Sequence, residues 1–336
     1  MPLPASMFSP TLLSQLDKLS RGGLRQNVPL APYTSFRIGG PAALLMIINQ
    51  TAHLEATLTL LHRRKMPFFL LGGGSNVLIS DAGIPGLTIL NQCKEIIWRD
   101  SSEQSEQKEA LVDAASGAPL AGLAREAIQR GLAGISWAVS IPGTVGGAVV
   151  GNAGAHGGDI ASLFVSARIW RRGQIQIWQA EEMRFTYRSS RLKNIIANTS
   201  HHPVILSTRF HLQRDSQGHA ATQANAYVQH RRRTQPTNKS AGSIFKNPPG
   251  DYAGRLLEVS GLKGRCVGDA CVSEKHANFI INRGQATAAD VVTLMSLMRQ
   301  EVWRQHNVLL EPEILFVGDW QKGPTLVPPS LTTIQT

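Results

Sequence analysis

The sequence predicts an α+β fold in at least two lobes. Short apolar runs alternate with amphipathic stretches of helical length. Glycines gather at 72–74, 143–158 and 261–268, and the apolar pattern lapses once, near 212–222. A chain of 336 residues accommodates one large or two to three medium domains. With 42% apolar and 17% charged residues it lies outside the disordered class.

The elements follow in order. Leu12, Leu13, Leu16 and Leu19 space a helix over 11–21, and AALLMII (42–48) reads as a strand. A helix over 51–65 follows, with Thr51 as its cap and Leu54, Leu58 and Leu61 on one face. FFLL (68–71), VLIS (77–80), LTIL (87–90) and EIIW (95–98) read as short strands. The polar run 101–109 reads as a hairpin or loop. Pro119, at a first helical position, opens a helix through Arg130. The stretch 141–158 is too rich in glycine for a regular helix or a packed strand. LFVSARIW (163–170), QIQIWQA (174–180) and VILSTRFHL (204–212) continue the strands. Beyond the lapse come helices over 219–233 and 287–306, the latter opened by Thr287 and Asp290 as a capping box, and then EILFV (313–317) as a strand. These boundaries give an N-terminal extension (1–27), a first domain of two subdomains (28–212), a second domain (213–320) and a tail (321–336).

Charge and cysteine usage narrow the function. Lys plus Arg number 34 against 23 Asp plus Glu, a net charge of +11, which favours anionic partners. Three cysteines, at 93, 266 and 271, make no disulfide framework, and the absence of a C-x-x-C pair speaks against a zinc site. The spacing of Cys266 and Cys271 suits either a redox pair on a tight loop or, the favoured reading, two unrelated buried thiols, and the chain reads as a cytoplasmic protein. No apolar run is long enough to span a membrane, and no cationic start precedes an apolar segment as in a secretory signal.

The loops carry the next inference. Gly72, Gly73, Gly74, Ser75 and Asn76 lie between two apolar strands, where they make either a tight turn or a cradle of N–H groups for phosphate. No Lys-Ser/Thr pair follows them and G-x-G-x-x-G is absent, so this is neither a P-loop nor a Rossmann fingerprint. Residues 141–158 intersperse glycine with Ile141, Val145, Val149 and Val150, which suits bare backbone lying against a flat ligand or a diphosphate. His156, alone in that loop, carries no metal assignment, and no metal site is expected.

GGGSNVLISDAGIPGLTI and IPGTVGGAVVGNAGAHGGDI, with TSFRIGGPA upstream, resemble the flavin-binding half of the UDP-N-acetylenolpyruvoylglucosamine reductase (MurB) family, in the branch without its tyrosine loop. That resemblance implies a vanillyl-alcohol-oxidase/MurB-type lobe of two subdomains holding FAD without a covalent bond, and a smaller α+β substrate domain. Carried over by motif, the FAD contacts are Arg37, Gly72, Gly73, Gly74, Ser75, Asn76, Pro142, Gly143, Thr144, Gly146, Gly147, Asn152 and Gly154. The implied reaction is NADPH-dependent reduction of UDP-N-acetylglucosamine enolpyruvate to UDP-N-acetylmuramate, a step of peptidoglycan precursor synthesis.

Three further motifs fit the same family: FTYRSSR, SAGSIFKNP and LEPEILFVG. They imply that Arg188 stabilises charge developing on the substrate carboxylate, that Glu313 is its acidic partner and that Ser243 gives the final proton to carbon. Tyr187, Arg231, Lys246 and Asn247 are the substrate-side candidates. Residues 216–250 contain no acid but hold Arg231, Arg232, Arg233, Lys239 and Lys246, which suits a UDP-sugar with its diphosphate and carboxylate. His276 and Asn278, in VSEKHANFIIN, receive no role. A nucleic-acid reading of the basic run is disfavoured, because only 20 aromatics occur in the chain and only Tyr227 lies near the arginines. A monomer is expected.

Overall fold

The computed structural model describes residues 8–100, 109–198, 202–215 and 217–320. The polar run read as a loop falls almost wholly outside these residues, as do the first seven residues and the tail beyond Trp320.

In the first body, α1 (Pro10–Ser20) is capped by Ser9, whose side chain accepts the Leu12 N–H. β1 (Leu24–Pro29) pairs antiparallel with β2 (Pro41–Ile48), and α2 (Thr51–Arg63) buries Leu54, Leu58 and Leu61. β3 (Phe68–Leu71), β4 (Val77–Ile79) and β5 (Ile84–Asn91) follow. The sheet order is β1-β2-β5-β3, with β2 and β3 both parallel to β5. Leu12 and Leu16 join the α2 leucines over Leu44, Met46 and Ile89 in one core. Thr51 does not cap α2: Gln50 occupies that position, and the Thr51 hydroxyl donates to Glu95 at 2.7 Å. β1 leaves no sequence signal because it is an edge strand with mostly exposed residues.

The second body is an antiparallel sheet. Its elements are β6 (Ile96–Asp100), β7 (Glu109–Ala115), α3 (Leu120–Gln129), β8 (Leu132–Ala133), α4 (Val145–Gly151), β9 (Gly154–Ala155), β10 (Gly158–Asp159), β11 (Phe164–Arg171), β12 (Gln174–Gln179), α5 (Ala180–Met183), α6 (Arg191–Asn198) and β13 (Val204–Arg214). The strand order is β12-β11-β13-β7-β6, with β8 beside β13. Leu120, Leu123 and Ala127 of α3 pack on Val112, Ile169 and Phe210. Pro119 caps α3 from outside rather than filling its first turn. α7 (His219–Thr234) lies beyond the expected boundary at 212, yet Ala224, Tyr227 and Val228 pack into this same core.

The expectation that 141–158 contains no helix is overturned by α4. Thr144 caps it, accepting the Gly147 N–H, and Val145, Ala148 and Val149 are buried. Gly146 lets the turn approach Ser116, whose carbonyl accepts the Gly146 N–H at 2.8 Å. Burial and this tertiary hydrogen bond override the poor helix propensity of VGGAVVG.

The third body comprises α8 (Ala253–Val259), β14 (Cys266–Val267), β15 (Ala270–Val272), β16 (Ile280–Asn282), α9 (Ala288–His306) and β17 (Leu315–Val317). Val291, Leu294, Met295, Met298 and Val302 of α9 are fully buried, each worth about 1.5–3 kcal/mol. Several ties bind this body to the first, among them a strand pairing and a helix start. β17 pairs parallel with β4, and both carboxylate oxygens of Asp81 accept N–H groups at the start of α9, from Ala288 at 2.8 Å and Ala289 at 3.0 Å. Asp81→Ala is therefore expected to cost about 0.5–2 kcal/mol, the usual worth of a helix cap. An unchanged urea midpoint for that variant would refute the tie.

Cys266 and Cys271 are not unrelated. They stand opposite each other across the β14–β15 hairpin, with Cα atoms 4.1 Å apart and their sulfurs bonded. The signal was present in Val-Gly-Asp-Ala, since a two-residue loop at Gly268–Asp269 makes 266 and 271 directly paired positions. Cys93 is the free cysteine, and burial foremost pushes its thiol up to about 11.

Candidate functional site

The two glycine-rich loops meet. A Cβ on Gly73 would lie 2.8 Å from Gly143 Cα, and one on Gly72 would lie 2.6 Å from Thr144 Oγ1. The Ser75 hydroxyl donates to the Pro142 carbonyl at 3.2 Å. Such close contact of backbone on backbone admits no side chain at 73, which is why glycine stands there. Among the described residues, the N–H groups of Gly73, Gly74, Ser75, Asn76, Gly143 and Thr144 donate to no protein acceptor. A run of unspent donors on close-packed backbone fits the diphosphate of a dinucleotide such as FAD.

Arg188 sits at the centre of a tight turn. Thr186 and Ser189 exchange N–H to carbonyl bonds at 3.1 Å each, and Arg188 takes φ +54°, in the left-handed region. That conformation costs a non-glycine residue on the order of 1–3 kcal/mol and survives only where the surroundings impose it. Here they do. Asn152, at the end of α4, donates Nδ2–H to the Thr186 carbonyl at 3.0 Å. The Ser190 hydroxyl donates to the Val150 carbonyl at 2.7 Å, and Lys193 Nζ donates to the Arg188 carbonyl at 2.9 Å. Tyr187 is exposed, with the Arg188 guanidinium 5.5 Å from its ring centre.

Ser243 to Lys246 and Glu311 to Glu313 run side by side. The Lys246 N–H donates to the Glu311 carbonyl at 2.9 Å, and the Glu313 N–H to the Ile244 carbonyl at 2.8 Å. Ser243 also bridges Phe279, and its hydroxyl has no protein partner among the described residues. Glu313 then reaches both earlier features. Its carbonyl accepts Asn76 Nδ2–H at 3.3 Å, and its Oε1 lies 2.9 Å from Arg188 Nε. The Arg188 Nε–H is not aimed at that oxygen, so the contact is an ion pair and this buried donor is left without a hydrogen bond.

The electrostatics are those of one buried acid among three cations. Burial raises the Glu313 carboxyl above its ordinary range, and Arg188, Lys193 and Lys246, in that order, pull it back. Lys193 is lowered, by burial first and then by Lys246. Lys246 Nζ also pairs with exposed Glu311 at 3.0 Å. Arg188 and Glu313 are both largely buried, so their attraction is less screened than at the surface.

Several expected contact residues are occupied by the protein itself. The Arg37 guanidinium donates to the Pro32 carbonyl, and that of Arg231 to the Ser140 carbonyl just before the second loop. Asn152 spends its amide on Thr186, Asp159 and the Ala161 N–H. Asn247 Oδ1 accepts the Ala253 N–H at the start of α8. Gly146 and Gly147 spend their N–H groups on Ser116 and Thr144, while Gly154 is fixed by its close approach to Gly158 and Asp159. Asn278, given no role from sequence, is the clamp of the serine segment: its Oδ1 accepts the Phe245 N–H and its Nδ2–H reaches the Phe245 carbonyl. Ser35 was also missed. Its N–H donates to the Gly74 carbonyl and its hydroxyl to the Ser240 carbonyl, joining the first loop to the serine segment. A buried asparagine and a surface one look alike in sequence, so neither signal was available there.

Two family models match the chain: one described as an FAD binding domain, over residues 42–172, and one described as the C-terminal domain of UDP-N-acetylenolpyruvoylglucosamine reductase, over 235–317. UDP-N-acetylenolpyruvoylglucosamine reductase 2 of Symbiobacterium thermophilum is 44% identical over 304 residues, covering 88% of this chain and 93% of the relative. The reductase of Chloroflexus aggregans is 41% identical over 294 residues, covering 87% and 96%. Among solved structures, the UDP-N-acetylenolpyruvylglucosamine reductase (MurB) of Thermus caldophilus superposes with a TM-score of 0.70 at 33% identity, covering 87% of this chain and 99% of that one.

Proposed function

Because the chain belongs to the UDP-N-acetylenolpyruvoylglucosamine reductase family, we propose that the cluster of Arg188, Ser243 and Glu313 is its active centre. The protein is an FAD-dependent oxidoreductase that reduces UDP-N-acetylglucosamine enolpyruvate to UDP-N-acetylmuramate with NADPH, in peptidoglycan precursor synthesis. Its fold is α+β, with a flavin-binding lobe of the MurB type. The observation that carries the site reading is the 2.9 Å Arg188–Glu313 pair, whose carboxylate residue is tied by its carbonyl to Asn76 of the first glycine loop.

When bound, FAD would supply the two-electron chemistry that links NADPH to the enolpyruvyl double bond. Gly73 to Asn76, with Gly143 and Thr144, would hold its diphosphate through their unspent N–H groups. Arg188 offers its guanidinium to the substrate carboxylate as negative charge gathers there. Glu313 holds that guanidinium in place from the other side. Ser243, whose hydroxyl is not committed to the protein, gives its proton to the substrate carbon. Tyr187 and Lys246 flank this centre on the substrate side, while Arg231 and Asn247 support the walls. A flavin part of two subdomains and a separate C-terminal substrate part divide this labour. A nucleotide-sugar substrate supports a cytoplasmic place. Among the described residues, no helix is long and apolar enough to cross a membrane.

The first test is the visible spectrum after incubation with FAD and desalting, followed by anaerobic reduction with NADPH and addition of the enolpyruvyl sugar. A retained flavin band, bleached by NADPH and restored by the sugar, is expected; a folded but colourless protein would overturn the reading. Gly73→Ala tests the cradle. Its methyl group would force the two loops apart at a cost of about 1–3 kcal/mol, so FAD affinity should fall about 10- to 100-fold. Undiminished affinity in a titration would remove the loop contact from the binding site.

A further inference from the structure

We propose that Lys193 is a positioning residue for Arg188: its ammonium group holds the left-handed turn that aims the guanidinium. The inference rests on the assignment of Arg188 above and extends it to a residue that no motif singled out. Turns of this shape ordinarily place glycine or asparagine where the chain turns left-handed. An arginine there needs external support, and the support given to its own carbonyl comes from Lys193, on the first turn of α6.

The placement of Lys193 is itself fixed. Ser190 Oγ accepts the Lys193 N–H at 3.3 Å while its hydroxyl bonds the Val150 carbonyl of α4. The start of α6 is thereby bolted to the end of the helix that follows the second glycine loop. From this anchor the half-buried lysine stem reaches back to the turn and sets its charge near Glu313, Lys246 and Arg188. A half-buried ammonium beside two other cations is unfavourable, and an apolar residue would fill the same stem volume without that cost. Its contact with the Arg188 carbonyl and its attraction to Glu313 are what offset it. Without the lysine, Arg188 relaxes toward ordinary backbone angles and its guanidinium swings off Glu313. Displacements of about 1 Å at a reacting centre can cost on the order of 10²-fold in rate.

The experiment uses the FAD-loaded enzyme in anaerobic stopped flow, reading the two half-reactions separately. In Lys193→Met, reduction by NADPH is expected to keep its rate, and the limiting rate of reoxidation by the enolpyruvyl sugar to fall about 10- to 100-fold. Lys193→Arg, which can still reach the carbonyl, should recover most of that loss. In an Arg188→Ala background, Lys193→Met should slow reoxidation no further, since a residue acting through Arg188 has nothing left to position. Should Lys193→Met fail to fold, Lys193→Gln, which keeps an N–H donor on a shorter stem, is read the same way. Normal reoxidation in the methionine or glutamine variant, or a further loss in the double variant, would overturn the proposal. If Arg188→Ala itself reoxidises normally, the assignment of Arg188 fails instead.

Discussion

Ser243→Ala is expected to reduce its flavin with NADPH at the normal rate and then to stall, with reoxidation by the enolpyruvyl sugar slowed about 10²–10⁴-fold. The separation follows from where the serine sits. It belongs to the segment that runs beside Glu311–Glu313, not to the glycine loops, so FAD binding and the approach of NADPH are not expected to depend on its hydroxyl. Its hydroxyl has no protein partner among the described residues, so alanine leaves no orphaned donor or acceptor and the fold loses little. A serine is a weak acid, and its use here requires a basic substrate intermediate and close registration. Asn278 provides the registration by gripping Phe245 at both its N–H and its carbonyl. Full turnover by the alanine variant would remove Ser243 from the mechanism.

Arg188→Ala should be of similar severity, with reoxidation lowered about 10²–10³-fold, the range found when a donor to a developing oxyanion is removed. Arg188→Lys should recover little. A lysine ammonium is a point charge without the planar fork, and it cannot meet Glu313 and a substrate carboxylate at once. Glu313→Gln complements this. Because burial raises the carboxyl above its ordinary range, wild-type reoxidation should decline on acidification at a higher pH than a surface glutamate would give, as the carboxylate that pairs Arg188 takes up its proton. The glutamine variant should be slower throughout and lack that acid limb. A wild-type profile without an acid limb above the usual carboxylate range would detach Glu313 from the step.

Much of the fold was legible because its strong elements obey their periodicities. α9 shows every signal at once: a capping box, an apolar stripe and a left-handed residue, Asn307, at its end. The misses have separate causes. β1 is an exposed edge without alternation, while α4 is held by burial and by Ser116 against the preference of its own glycines. Of the site, the residue types were readable but the assembly was not. Arg188, Ser243 and Glu313 are far apart in the chain and suggested themselves through motif resemblance rather than through spacing. Nothing local announces that an arginine will occupy a left-handed turn, or that Asn152 and Arg231 will spend their polar groups on the backbone. Those facts are created by packing.

The pairing of β17 with β4 bears on how the enzyme is born. A ribosome delivers the chain from its N-terminus, and domains tend to fold as they emerge. Residues 77–79 are made more than 200 residues before their parallel partner at 315–317. Until then the edge of β4 stays open and the carboxylate beside Arg188 does not exist. A chain that has not reached residue 313 lacks the acid that pairs with Arg188, and the first glycine loop lacks the carbonyl that takes the Asn76 amide. The catalytic centre is complete only once the segment carrying Glu313 and β17 has been made.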